Sequence, residues 1–156
     1  MDAPSTLVRL LAVALAAVVA LTCAPAPATA APTAGERKYG TRVFTIVNNV
    51  RDNHDRVELR RTRCLQRFAD RQAERMANRR KMFHQDLRRI QRACNVGYVA
   101  ENVARGNITP RQMVNLWMDS SGHRANILSR KYRLTGVAAR KAGGQWWVAQ
   151  VFGRKG

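Results

Sequence analysis

An acid and an amide stand side by side inside an otherwise apolar run, Tyr98-Val-Ala-Glu-Asn-Val-Ala-Arg-Gly106, and no other feature constrains the fold as tightly. The run reads as a short strand over 97–104. An ionised carboxylate in such a place is costly unless it is hydrogen-bonded, paired with a cation or set in a cleft. The nearest histidines along the chain are His84 upstream and His123 downstream. The second of these follows Trp117-Met-Asp-Ser-Ser-Gly, which starts as a helix and breaks at Ser120-Ser121-Gly122.

The N-terminus has to be set apart before the fold is read. Leu10 to Ala24 is almost wholly apolar, about 15 residues long, and leads into Ala28-Thr29-Ala30, the pattern of a secretory signal peptide cleaved after Ala30. A spanning helix needs about 20 apolar residues. A lipid-anchored reading through Cys23 is a minor alternative, because Ala20 and Thr22 stand where bacterial lipoprotein signals carry a leucine and a small residue. Residues 31–41 show no periodicity and read as a flexible leader, and 42–156 as one compact domain. Asp2 and Arg9 cancel, so the chain left after removal of 1–30 keeps the whole net charge of +18.

Two cysteines then remain, Cys64 and Cys94, in a chain bound for an oxidising compartment, and one disulfide between them is expected. Closing a loop of about 30 residues stabilises by roughly 3 to 4 kcal/mol in the chain-entropy model. A zinc or redox pair is the competing reading, and it lacks the Cys-x-x-Cys spacing.

Val43, Ile46, Val47 and Val50 predict a helix from Thr41 that fades by Asp52-Asn53-His54-Asp55, with His54 on the surface. Cys64 to Met82 is the clearest helix, its inward stripe being Leu65, Phe68, Ala69, Ala73, Met76 and Ala77. On its other face Arg63, Arg67, Arg71, Arg75 and Arg79 recur every four residues, with Asp70 and Glu74 placed to offset part of the repulsion. This is either a solvated, partly paired face or an electrostatic seat for an anionic surface. A basic link through Arg88-Arg89-Ile90-Gln91-Arg92 follows. Thr109-Pro110 begins another helix with Met113, Val114, Leu116 and Trp117 inward. Segments 134–140 and 145–152 read as strands joined in a hairpin through Ala142-Gly143-Gly144. Trp146 and Trp147, adjacent on a strand, are expected to face opposite sides.

The ordered set Asn48, Arg51, Met76, His84, Glu101-Asn102, Trp117-Met118, Ser120, Gly122-His123-Arg124, Asn126-Ile127-Leu128, Gly136-Val137, Trp147 and Gln150-Val-Phe-Gly153 resembles the CAP superfamily in its compact bacterial form. This is the domain of cysteine-rich secretory proteins, venom allergens and plant pathogenesis-related proteins, and the likeness spans roughly 42 to 153. It implies an α+β fold, an α-β-α sandwich with a small, mostly antiparallel sheet between helices and a cleft at one side. It also implies that His84, His123 and Glu101 line that cleft beside Asn102 and Ser120. Larger eukaryotic members carry a second cleft glutamate where this chain has Ser120.

Two histidines and a glutamate are a permissible Zn2+ set with an open position. The alternative is that Glu101 fixes one imidazole and ties three segments together. No Gly-x-Ser-x-Gly, His-Glu-x-x-His or phosphate-cradling glycine loop is present. The leading expectation is a secreted, monomeric, non-catalytic binding module for lipid-like ligands or for an anionic cell-envelope surface, lipid or polysaccharide. The alternatives are a zinc-dependent hydrolase or protease using the same cleft, and sequence-independent nucleic-acid binding motivated by basicity alone, which export disfavours.

Overall fold

The computed structural model describes residues 31–156, so segment 1–30, read above as a signal peptide, lies outside the described residues. In chain order the elements are α1 (Ala34–Asp52), β1 (Arg60–Arg61), α2 (Arg63–Arg79), α3 (Leu87–Cys94), β2 (Tyr98–Gly106), α4 (Pro110–Asp119), α5 (Ser121–Leu128), β3 (Leu134–Ala142) and β4 (Gln145–Arg154). The sheet runs β1-β3-β4-β2, antiparallel except for the short parallel β1–β3 pair. Gly143 and Gly144, both at positive φ, make the two-residue turn between β3 and β4 that leaves Ala142 opposite Gln145.

Period-two alternation divides the sheet into two buried faces. Ala100, Ala104, Val137, Ala139, Val148 and Phe152 pack with Val43 and Val47 of α1, Met113 and Trp117 of α4 and Ile127 of α5. Val103, Leu134, Ala138, Trp147, Ala149 and Val151 pack with the apolar stripe of α2 and with Ile90 of α3. The two tryptophans divide as their spacing requires: Trp147 is buried under α2, and Trp146 stacks on Tyr39 of α1 at 4.1 Å. The result is an α+β sandwich, helices on both sides of a small sheet.

Four sequence expectations need correction. Residues 34–41, read as the end of a flexible leader, are the first turns of α1. Thr33 and Glu36 form a reciprocal capping box, and Glu36 also accepts the Lys141 backbone N–H at 2.8 Å. Tyr39 donates to the Ile108 carbonyl at 2.8 Å. Tertiary contacts, and no periodic stripe, hold this turn in place. The basic link after α2 is helical as α3, capped by Asp86, whose carboxylate accepts the N–H groups of Arg88 and Arg89. Leu116 of α4 is exposed, because Met113, Val114 and Trp117 already fill the inward face of that short helix. Finally, the break at Ser120 does not end the helical run: Ser120 is extended, closes α4 and opens α5, which carries His123.

Side chains cover backbone that the short sheet leaves open. Gln66 bonds both the N–H and the carbonyl of Val137, and Asn48 does the same for Leu59. Arg51, fully buried, donates to the carbonyls of Val57, Ile127, Ser129 and Tyr132, tying the end of α1 to the end of α5. The Cys64–Cys94 disulfide joins the start of α2 to the end of α3.

Candidate functional site

β2 is an edge strand, and its two central polar residues reach into different layers. Glu101 turns toward α2 and the 80–86 loop. Its side chain is wholly buried, and both oxygens are occupied. Oε2 accepts from His84 Nδ1 at 2.8 Å and from the Gln85 backbone N–H at 3.2 Å, and Oε1 accepts from Gln85 Nε2 at 2.6 Å. An ionised carboxylate only accepts, so the bonding places a proton on His84 Nδ1 and leaves Nε2 as the free nitrogen of a ring whose side chain is 58% exposed.

Asn102 turns to the opposite layer. Fully buried, it donates to the His123 carbonyl at 3.1 Å and accepts from Asn126 Nδ2 at 2.9 Å, fixing α5 against the sheet. His123 is held through its backbone while its Nδ1 is buried without a partner. Burial, and secondarily the nearby His84, lower its pKa from the ordinary 6.5. Ser120 makes no side-chain bond to the helix that it opens.

The expected zinc set fits this arrangement poorly. Among the described residues no three His, Cys, Asp or Glu side chains gather closely enough to hold a metal ion. His84 and Glu101 meet as a hydrogen-bonded pair, and both carboxylate oxygens already accept hydrogen bonds. This geometry does what a positioning acid does: it orients one imidazole and ties the 80–86 loop to β2.

Beside the pair lies the arginine face. Arg63, Arg67, Arg71, Arg75 and Arg79 are all exposed along α2. The pairing expected from Asp70 and Glu74 is missing. Asp70 instead faces Arg140 at 3.9 Å, and among the described residues this is the one lysine or arginine within 4.0 Å of a carboxylate. Aromatic rings take the place of acids: Arg71 lies over Phe68 at 4.8 Å, and Arg79 and Arg75 over Phe83 at 5.3 and 6.0 Å. Sequence reasoning missed two contributors, Gln85 and Arg89. Neither sits in a pattern, and Arg89 needed α3 to be a helix before it could face α2.

The family model of the cysteine-rich secretory protein family, CAP, matches residues 44–152, which include every residue of this site. The chain belongs to the CAP family. Solved structures agree in fold. This domain superposes on an outer surface protein from Borrelia burgdorferi with TM-score 0.70 at 17% identity, covering 77% of this chain and 95% of that one. An extracellular SCP-domain protein from Bacillus anthracis gives TM-score 0.68 at 23% identity over 77% of this chain and 41% of that one. In sequence, the domain is 41% identical over 54 residues to the uncharacterized protein YkwD of Bacillus subtilis (strain 168), a match spanning 35% of this chain and about a fifth (21%) of YkwD.

Proposed function

We propose that this CAP domain is an exported, non-catalytic binding module that seats on anionic cell-envelope surfaces through the arginine face of α2, next to the His84–Glu101 pair. The observation that carries this reading is the absence of acidic partners along that face among the described residues. A cationic face whose charges are not neutralised within the protein attracts anionic surfaces, at about 1 kcal/mol per arginine near an anionic leaflet. The bonding of Glu101 gives it a positioning role: it orients the His84 ring and ties the 80–86 loop to β2. A shallow groove of about 410 Å³ between α1 and α4, lined by Ile46, Thr45 and Pro110 with Arg42 and Arg111 beside them, offers a second place for the apolar part of a lipid-like ligand. A zinc-dependent hydrolase using His84, Glu101 and His123 gains no support from the arrangement of those side chains.

The test is co-sedimentation with vesicles of phosphatidylglycerol and of phosphatidylcholine over a salt series. Binding to the anionic vesicles that falls steeply between low and physiological salt, with none to the zwitterionic ones, is the expected result. Equal binding to both, or none to the anionic vesicles at low salt, contradicts it.

A further inference from the structure

Between the arginine face and α3 lies a cavity of about 120 Å³ lined by Phe68, Arg71, Arg75, Gln85, Asp86 and Arg89. Three of its six lining residues are arginines, brought in from two helices that the Cys64–Cys94 disulfide joins. Arg71 and Arg75 are one turn apart on α2, and Arg89 is in the first turn of α3.

Two of the guanidinium groups are fixed in place before any ligand arrives. Arg75 Nη2 donates to Oε1 of Gln72 at 2.6 Å. Gln72 is fully buried and is itself pinned by a bond from its amide nitrogen to the Phe83 carbonyl. Arg71 donates from Nε to the Arg67 carbonyl at 3.3 Å and lies over the Phe68 ring. Among the described residues neither group makes a salt bridge. The one acid of the cavity, Asp86, is engaged through Oδ1 by the first N–H groups of α3. Burial lowers the pKa of Arg75, as does repulsion from Arg79, Arg71 and Arg89, against the attraction of Glu101. The arginines are thus held close enough to repel, a repulsion that a bound anion relieves.

We propose that this cavity is a subsite for a terminal phosphate group, a phosphate monoester or phosphate itself. Three guanidinium groups line the cavity against one lining carboxylate, Asp86, with the buried Glu101 carboxylate within reach of Arg75 behind it. A phosphate monoester, carrying roughly −1.5 to −2 at neutral pH, is drawn to this excess of guanidinium more strongly than a singly charged diester. Guanidinium forks also fit phosphate oxygens two at a time. The proposal deepens the anionic-surface reading and rests on it, by giving the face one specific point of contact.

The experiment titrates inorganic phosphate into the disulfide-bonded protein at fixed ionic strength and follows the arginine Nε–H resonances by NMR. A second arm compares vesicles bearing phosphatidic acid, a monoester, with phosphatidylglycerol vesicles of equal surface charge. The expected result is a saturable shift at Arg71, Arg75 and Arg89, small linear shifts at Arg63 and Arg67, and tighter binding to the monoester vesicles. Arg89→Gln and Arg75→Lys should each weaken phosphate binding about tenfold, the second while keeping its charge, and Arg63→Gln by less than about twofold. Shifts that are linear and equal at all five arginines overturn the subsite. If anionic vesicles still bind in a salt-sensitive way, the surface reading survives that loss. A saturable phosphate site with no vesicle binding supports the subsite for a soluble phosphate and removes the surface.

Discussion

Glu101 receives three hydrogen bonds in a position closed to water, so removing it strands its donors. Glu101→Ala should destabilise the domain by about 3 to 5 kcal/mol, three charge-assisted bonds at about 1.5 kcal/mol each. His84→Ala, at a ring more than half exposed, should cost less than about 1 kcal/mol. Chemical denaturation of the two variants checks the order, and equal losses would mean that His84 is a structural support in its own right. His123 gives a pH prediction. Its folded pKa lies below the ordinary 6.5, so as pH falls the unfolded chain takes up the proton first. The stabilising difference is therefore present above about 6.5 and is lost as pH drops from there through the depressed folded value. Following the His123 ring by NMR should give a midpoint below 6.5. In His84→Asn that midpoint should rise only part of the way, because burial is the larger cause. At this scale the sequence made Glu101 legible, since a carboxylate amid Val and Ala has to be bonded. It did not reveal Gln85, a glutamine in a loop that only the folded chain brings to both carboxylate oxygens.

Helix α2 lies against β3 so closely that Gly136 has no room for a side chain. A Cβ there would meet the backbone of Leu65 and Gln66 at 2.3 to 2.4 Å. Gly136→Ala should destabilise by about 3 kcal/mol or more, since the backbone of two packed elements has to part. A melting temperature unchanged by that substitution would contradict the packing described. The elements that periodicity revealed are those with a continuous apolar stripe: α2, α4, β2 and the β3–β4 hairpin. The first turns of α1 were hidden because Tyr39 and Gly40 are the only positions near the leader that pack inward without charge, and their partners, Trp146, Ile108 and Val137, are distant in sequence. Helix α3 was hidden because Ile90 is its single buried residue. Helix α5 was hidden because Ser-Ser-Gly ordinarily stops a helix, whereas here one extended residue separates two.

The net charge of +18 was plain from composition, but composition does not say whether charge is spread or gathered. The fold gathers five arginines on one face of α2, sends Asp70 to Arg140 on β3 and leaves Glu74 without an arginine within 4.0 Å. The α-β-α arrangement was legible through the ordered motifs, because they spread over nearly the whole domain and each marks a junction: Asn48 and Arg51 at the end of α1, Asn102 and Asn126 between β2 and α5, and Gly136 under α2. A ligand set drawn from the same motifs was less legible, because a residue's presence in a cleft does not say which of its atoms are already bonded. The most direct test of the account separates the α2 face from bulk charge. Binding to phosphatidylglycerol vesicles at physiological salt should be measured for the triple variant Arg67→Gln, Arg71→Gln, Arg75→Gln, and for a control of the same net charge at exposed residues away from both the α2 face and the α1–α4 groove, Lys38→Gln, Arg130→Gln, Lys131→Gln. At about 1 kcal/mol per arginine, the α2 variant should lose roughly a hundredfold in affinity and the control less than about tenfold. Equal losses in the two would show that net charge, and not this face, carries the binding.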